Sequence, residues 1–349
     1  MNFASDNAGP VHPSVLTALA EANTGYAPGY GTDPLTARVT DHLRALFQAP
    51  EAAICLVATG TAANGLALAT LAQPWQTVFC APEAHVQQDE CGAPEFFSGG
   101  AKLTLVAASE GRIDPGDLAL RMDRTGARGV HGVQRGPVTI TQATENGTLY
   151  TPDQIARIAA IAHDHGQKVY MDGARFANAV ARLGCAPADL SWRAGVDVLS
   201  FGGTKNGLMG AEAVILFDPA LAQEFALRRK RAAHLLSKHR YLAAQMAAYL
   251  TDGLWLDLAA RANAAADRLT AGLRAAGLPP VWPVEANMVF FRAPRRVHAA
   301  LWAAGADYHP WDGPAEGDPD APLIGRLVCD WSLSDAAINA FLDALKAAP

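Results

Sequence analysis

The sequence predicts an α/β fold in which helices cover a mainly parallel sheet, together with a second, smaller α/β domain. Short apolar segments alternate with helical ones between residues 53 and 217, which is the pattern of strand–helix–strand units. Beyond residue 250 the pattern changes to a long helix followed by two strand–helix pairs. We therefore expect a large domain over residues 1–250, which includes the N-terminal segment, and a small C-terminal domain over residues 251–349.

The individual elements are predicted from apolar runs and from capping residues. Three capping residues mark helix starts, namely Asp33, Thr151 and Ser334. Further helices are expected at 62–71, 253–276 and 295–304, and the helix that begins after Thr151 should end near Gly166. Strands are expected at 54–58, 77–80, 101–106, 138–141, 167–171, 196–201, 213–217, 288–292 and 324–329.

The composition excludes several classes of function. The chain carries 28 basic and 34 acidic residues, a balance that argues against general nucleic-acid binding. No apolar run approaches the roughly 18–20 residues of a membrane helix, and the N-terminus lacks the features of a secretory signal. Five cysteines without a C-x-x-C pair argue against a disulfide scaffold and against a zinc site. We expect a cytoplasmic protein that binds no metal, membrane or nucleic acid.

Two charged residues follow strands of the predicted sheet. Lys205 stands in the turn F-G-G-T-K-N-G after the strand at 196–201, and Asp172 closes the strand at 167–171. Ligands of open α/β sheets bind at the carboxyl ends of strands. Pyridoxal 5'-phosphate (PLP) chemistry needs a lysine that bonds the cofactor and a carboxylate that keeps the ring nitrogen protonated, so this pair indicates PLP. A solvated surface lysine and a helix-capping aspartate are the alternatives.

Two further features fit the same cofactor. The segment T-G-T-A-A-N at 59–64 leads from a strand into a helix, whose free N–H groups and dipole can bind a phosphate. Gly60 permits a close approach of the backbone, and the Thr61 hydroxyl can add a hydrogen bond. His85 follows the strand at 77–80 and could stack on the pyridine ring or exchange a proton. A hydrogen-bonded core histidine is the alternative.

Several segments together resemble the low-specificity L-threonine aldolases, which are PLP enzymes of fold type I grouped with the β-eliminating lyases. The similarity runs from residue 3 to at least residue 245. The segments form a specific set, although D-G-A-R or T-K-N-G alone would not. They are A-S-D-N (4–7), Y-G-T-D (30–33), T-G-T-A-A-N (59–64), E-A-H-V-Q-Q-D-E-C-G-A (83–93), T-I-T-Q-A-T-E-N-G-T (139–148), M-D-G-A-R-F (171–176) and F-G-G-T-K-N-G (201–207).

This resemblance implies a cofactor role for individual residues. Lys205 would hold PLP as a Schiff base, and Asp172 would pair with the ring nitrogen. Arg175 would hydrogen-bond the phenolate oxygen of the ring, and His85 would stack on it. The phosphate would be held by three consecutive residues, Gly60, Thr61 and Ala62.

The resemblance also implies how the substrate binds and how the chains assemble. Ser5 and Arg326 would bind the substrate carboxylate, a task that suits the planar fork of a guanidinium. The family forms homotetramers with shared sites, so Tyr30 and a basic residue near Lys238 would come from the neighbouring chain. The basic run at 228–231 is then best interpreted as a helix face near a subunit interface rather than as a nucleic-acid site.

One position leaves the catalytic base open. Where one branch of the family carries a histidine, this chain has Glu145, as in another branch, so the role of that histidine does not transfer. The base for the β-hydroxyl proton is either His85 or a water held by His85 and Glu145. The threo/erythro preference stays open for the same reason.

The expected reaction is cleavage of the Cα–Cβ bond of L-threonine, L-allo-threonine or a related β-hydroxy-α-amino acid, which gives glycine and an aldehyde. An aldolase that prefers phenylserine is a close alternative. Another PLP reaction on the same fold, namely β-elimination, racemisation or transamination, is a second alternative. A cofactor-free regulatory or binding protein on this scaffold is a third, from a different class of function.

Overall fold

The computed structural model describes all 349 residues and contains thirteen α-helices and twelve strands. The helices are α1 Pro13–Ala22, α2 Pro34–Leu46, α3 Gly60–Leu71, α4 His85–Gln88, α5 Ala93–Ser98, α6 Pro115–Arg124, α7 Pro152–Asp164, α8 Phe176–Leu183, α9 Ala222–Arg231, α10 Arg240–Leu250, α11 Leu254–Ala275, α12 Arg295–Ala303 and α13 Asp335–Ala347. The strands are β1 Ala53–Val57, β2 Gln76–Cys80, β3 Lys102–Leu105, β4 Ala108–Ser109, β5 Arg112–Ile113, β6 Gln134–Thr141, β7 Val169–Gly173, β8 Val198–Gly202, β9 Glu212–Leu216, β10 Met288–Pro294, β11 His309–Pro310 and β12 Pro322–Val328.

The central sheet has seven strands in the order β1-β9-β8-β7-β6-β2-β3. Strand β9 runs antiparallel to both of its neighbours, and all the other pairs are parallel. The exception has a physical reason, because only residues 203–211 separate β8 from β9, and a parallel connection needs a longer crossover. The prediction of a mainly parallel sheet is confirmed.

The capping predictions are also confirmed. The side chains of Asp33 and Ser334 accept hydrogen bonds from the first turns of α2 and α13, and Thr151 forms a complete capping box with Gln154. The basic run at 228–231 forms the last turn of α9, where positive side chains interact favourably with the negative end of the helix dipole. The nine expected strands are present, whereas the helices α1, α4, α5, α6, α8 and α10 and the strands β4, β5 and β11 were not anticipated.

A second, smaller sheet with its own apolar core lies outside the central sheet. Strands β10, β12 and β11 form a three-stranded sheet, which shares a separate apolar core with α12 and α13. Helix α11 joins the two cores, since Trp255 packs in the large one and Leu269 in the small one. Phe3 is buried in the small core as well. The division of the chain at residue 250 stays a prediction, because α11 and the N-terminal residues contribute to both sides.

None of the helices combines the length and the apolarity that crossing a membrane requires.

The small core should make a measurable contribution to stability. Leu301 on α12 is fully buried there, whereas Leu120 on α6 is 44% exposed. We expect Leu301→Ala to lower the free energy of unfolding by about 2–5 kcal/mol, because it leaves a cavity in a packed core. The matched change Leu120→Ala should cost about 0.5 kcal/mol or less. Urea denaturation of both variants measures the difference. Equal losses in the free energy of unfolding would show that burial of Leu301 in the small core contributes no more to stability than an exposed leucine does.

Candidate active site

A cavity of about 370 Å³ opens at the carboxyl ends of β6, β7 and β8. Lys205 and Asp172 both line it, together with Arg175, His85 and Glu145. Parallel neighbours end at the same edge of a sheet, which is why residues that follow three different strands meet here. The structure therefore brings together the two residues on which the sequence argument depends.

Lys205 is held in a short turn that a buried carboxylate stabilises. Glu212, at the start of β9, accepts hydrogen bonds from the Gly203 N–H at 2.8 Å and from the Thr204 hydroxyl. Burial, and next the positive charge of Arg175, lower the pKa of Lys205 and so favour its nucleophilic, uncharged amine. Burial raises the pKa of Glu212 to about 7. Sequence reasoning missed Glu212, whose signal is a carboxylate inside the apolar run A-E-A-V-I-L.

Asp172 is fixed by two hydrogen bonds. Its Oδ2 accepts from the Asn64 side-chain amide and its Oδ1 from the Ala174 N–H, both at 2.9 Å. Asn64 is oriented in turn by Tyr170, whose hydroxyl donates to Asn64 Oδ1 at 2.6 Å. A carboxylate held in this way keeps one orientation toward the cavity. Asn64 lies in the T-G-T-A-A-N segment, but no role was expected for it.

Arg175 forms a two-fold ion pair with Asp6. The guanidinium Nε and Nη2 donate to the two carboxylate oxygens of Asp6 at 2.7 and 2.9 Å, and Asn287 donates to Asp6 as well. Although burial acts to raise it, the pKa of Asp6 is lowered, because the charges of Arg175 and Lys205 favour the carboxylate. Asp6 is a second residue that sequence reasoning missed, although it stands in the A-S-D-N segment.

His85 and Glu145 contact each other through the backbone. The His85 N–H donates to Glu145 Oε1 at 2.8 Å, while the imidazole Nδ1 lies 2.7 Å from Glu90 Oε1. The hydrogen bond to Glu90 raises the pKa of His85. Burial, with a smaller contribution from the charge of Asp172, raises the pKa of Glu145 to about 7. Glu145 can therefore exchange a proton near neutral pH, and the raised pKa of His85 favours its protonated form.

The N-terminus of α3 faces the same cavity. Thr59 caps the helix, and its hydroxyl accepts from the Ala62 N–H at 3.1 Å. The N–H groups of Gly60 and Thr61 have no carbonyl partner within the helix. A Cβ built on Gly60 would meet nothing within 4 Å, so the space in front of this terminus is open. Gly60 and Thr61 line the cavity, whereas the N–H of Ala62 is already occupied by its cap.

Ser5 and Arg326 lie near each other but outside the lining of this cavity. Arg326, on β12, donates from Nη2 to the carbonyl of Ala4 at 3.3 Å, and its Cζ lies 5.5 Å from the ring centroid of Trp311. Its Nε is buried and has no partner in the chain. A buried guanidinium N–H without an acceptor is costly, which favours an external anion at this position.

Tyr30 and Lys238 form part of a separate exposed surface. The side chain of Tyr30 is 52% exposed and contacts Lys230, whose Nζ lies 4.8 Å from the ring centroid. The Tyr30 N–H donates to the carbonyl of Ser237, next to Lys238. Neither residue lines the cavity of its own chain. Their expected role requires a second chain and stays a prediction.

The residues of the cavity fit PLP by their chemistry. A lysine with a lowered pKa, a buried carboxylate and a helix N-terminus with free N–H groups surround one space. These three groups match the aldehyde, the ring nitrogen and the phosphate of the cofactor. His85 supplies an aromatic ring in the same lining.

Comparison with known proteins agrees with this geometry. The family model described as beta-eliminating lyase matches residues 2–294. A low specificity L-threonine aldolase from Pseudomonas aeruginosa is 45% identical, over 94% of this chain and 92% of that protein. A solved threonine aldolase from Leishmania major superposes with a TM-score of 0.92 at 28% identity, covering 99% of this chain and 98% of that one.

A more distant likeness shows the fold alone. A serine palmitoyltransferase solved with PLP has a TM-score of 0.71 at 18% identity, and the match covers 99% of this chain and 86% of that one. The mainly parallel sheet with its covering helices is accordingly the fold type I of PLP enzymes. The sequence similarity is closer and more extensive than this shared fold requires, and the chain belongs to the β-eliminating lyase family, in its group of low specificity L-threonine aldolases.

Proposed function

We propose that this chain is a PLP-dependent aldolase that cleaves the Cα–Cβ bond of L-threonine, L-allo-threonine or a related β-hydroxy-α-amino acid. The observation that carries the proposal is the convergence of Lys205, Asp172 and His85 on one cavity. Family membership supports the same reaction class. The products are glycine and an aldehyde.

The cofactor would be held by four groups of the chain. When bound, PLP supplies the electron sink for the charge that develops at Cα. Lys205 provides the amine that bonds the cofactor, and Asp172 keeps the ring nitrogen protonated. The free N–H groups of Gly60 and Thr61 bind the phosphate. Arg175, which is anchored by Asp6, would hydrogen-bond the phenolate oxygen of the ring.

The substrate carboxylate would be bound by Arg326 and Ser5. The unpartnered Nε of Arg326 provides a donor for one carboxylate oxygen. Fixing the carboxylate would set the orientation of the bonds at Cα toward the bound cofactor. Bond orientation therefore selects cleavage of Cα–Cβ over loss of CO₂ or of the Cα hydrogen.

His85 is the proposed acceptor of the hydroxyl proton. As the Cα–Cβ bond breaks, its electron pair stays with the glycine carbon, and the O–H pair forms the carbonyl of the aldehyde. The proton passes to the imidazole, directly or through a water that Glu145 also holds. General-base help of this kind usually contributes about 10²–10⁴-fold to the rate.

We also propose a location and an assembly for the enzyme. The enzyme works in the cytoplasm as a homotetramer in which Tyr30 and Lys238 complete the site of a neighbouring chain. Tyr30 is exposed on the surface of its own chain and is paired with a cation, which suits a role across an interface.

Product analysis distinguishes this function from its alternatives. We expect glycine and acetaldehyde from L-threonine or L-allo-threonine, and glycine and benzaldehyde if phenylserine is preferred. Pyruvate from L-serine would indicate β-elimination, and D-alanine from L-alanine would indicate racemisation. A colourless protein without any of these activities would contradict an enzymatic function.

Replacement of Lys205 tests the cofactor assignment. We expect Lys205→Ala to lose the visible absorbance of bound PLP and the release of glycine from L-threonine, because the covalent bond to the cofactor can no longer form. The matched control is Lys346→Ala, which removes an exposed lysine paired with Asp343 and should change neither. Full activity of Lys205→Ala would rule out this assignment.

Replacement of Arg326 tests the substrate carboxylate site. We expect Arg326→Ala to lower kcat/KM for L-threonine by about 100-fold, since losing one partner of a buried charge pair costs about 2–5 kcal/mol. The absorbance of bound PLP should be unchanged. Arg268→Ala, which removes a partly exposed arginine of α11, is the control and should leave kcat/KM unchanged. An unchanged kcat/KM in Arg326→Ala would place the carboxylate elsewhere.

A further inference from the structure

Glu90 is a buried carboxylate behind His85 to which nothing above gives a role. Its side chain is fully buried, while the His85 side chain is 35% exposed. Glu90 Oε1 lies 2.7 Å from His85 Nδ1, and its other oxygen, Oε2, is buried without a partner. The stabilisation of this carboxylate therefore depends on His85 and on one further donor.

That further donor is Asn64, which links Glu90 to Asp172. The Asn64 side-chain NH₂ donates to Glu90 Oε1 and also to Asp172 Oδ2, and an amide nitrogen has one hydrogen for each. The Tyr170 hydroxyl donates to Asn64 Oδ1, so the amide cannot be flipped without losing three hydrogen bonds. Two buried carboxylates are thus separated by one fixed NH₂ group.

This donor set favours a proton over a metal ion. The ligand atoms of His85, Glu90 and Asp172 lie within 4.8 Å of one another, a spacing that could suit a cation. However, the two carboxylate oxygens that face each other already accept hydrogens from Asn64. A cation between them would have to displace this NH₂ group, whereas a proton on the imidazole needs no such change.

We propose that Glu90 is a positioning residue that keeps the ring proton of His85 on Nδ1, so that Nε2 is left as the acceptor for the proton of the substrate hydroxyl. A carboxylate has no hydrogen to give, and the Nδ1–Glu90 contact therefore requires the hydrogen on Nδ1. When Nε2 takes up a proton, the positive charge of the imidazolium faces the Glu90 carboxylate. The inference rests on the proposed function, in which His85 is the base.

Asn64 supports the same arrangement from the other side. Burial raises the pKa of Glu90, and the hydrogen bonds from His85 and Asn64 act against that rise. By donating to both carboxyl groups, Asn64 lowers the cost of placing them at short range. Glu90 can then act on the imidazole while Asp172 acts on the ring nitrogen of the cofactor. The other charged groups that face His85 are Lys205, across the cavity, and Glu145, at the His85 backbone N–H.

The titration of individual histidines tests this inference without relying on activity. Diethyl pyrocarbonate reacts only with unprotonated imidazole, so peptide-resolved rates against pH give a midpoint for each histidine of the purified protein. We expect Glu90→Gln to lower the His85 midpoint by about one pH unit, because the charge that favours the imidazolium is lost. Glycine release from L-threonine should fall by about 10- to 100-fold.

Asp123→Asn is a matched control on another carboxylate–imidazole pair. Asp123 lies 3.0 Å from His165 Nε2 on the protein surface. This variant should lower the midpoint of His165 and leave the midpoint of His85 and glycine release unchanged. Glu90→Gln should instead lower the midpoint of His85 and glycine release, and leave the midpoint of His165 unchanged. Glu90→Asp keeps the carboxylate but moves it farther from the imidazole, so its His85 midpoint should lie between those of Glu90→Gln and the unaltered protein. If Glu90→Gln does not fold, Glu90→Asp takes its place in the test.

The outcomes separate this inference from the proposed function. The inference is overturned if the His85 midpoint in every folded Glu90 variant equals that of the unaltered protein. A fall in activity without any change of midpoint also overturns it, because a merely structural role would give that result. If the unaltered protein releases no glycine, the proposed function fails, but the midpoints still show whether Glu90 controls the protonation of His85.

Discussion

The parallel alignment of β6, β7 and β8 is the constraint on which the site depends. In this register Asp172 lies beside Thr141 on one side and beside Ser200 on the other, so the segments that follow all three strands leave the sheet together. The strands approach very closely at this edge, since a Cβ on Gly173 would lie 2.2 Å from the Ser200 carbonyl oxygen. Glycine is required there, and the close approach keeps Asp172 and Lys205 on one cavity.

Burial of several carboxyl groups in this space is tolerated because each of them accepts hydrogen bonds. Asp6 is paired with Arg175, Glu212 accepts from the turn before Lys205, and Asp172 accepts from Asn64. The pKa values respond accordingly, since a guanidinium partner lowers that of Asp6, whereas burial dominates at Glu212. The site thus contains both a fixed negative charge and groups that titrate near neutral pH.

Local signals in the sequence predicted much of this fold and part of the site. Capping residues such as Asp33 and Thr151 act within four residues, and Lys205 and Asp172 stand at the ends of apolar strands. The sequence alone therefore indicates the helix starts and these two site residues. The contacts of Asp6 and Asn64 could not be predicted in this way, because their partners lie 169 and 108 residues away along the chain. Their geometry depends on how distant elements pack.

The N-terminal segment connects the two cores through three closely spaced contacts. Phe3 forms backbone hydrogen bonds with Asp307 and with Val328 of β12, and it is buried in the small core. The next carbonyl, that of Ala4, accepts from Arg326, and Asp6 then bridges Arg175, which follows β7, to Asn287 before β10. The position of the proposed carboxylate-binding arginine relative to the cavity is therefore set by a segment anchored on both sides. The site therefore needs both parts of the chain held in one arrangement.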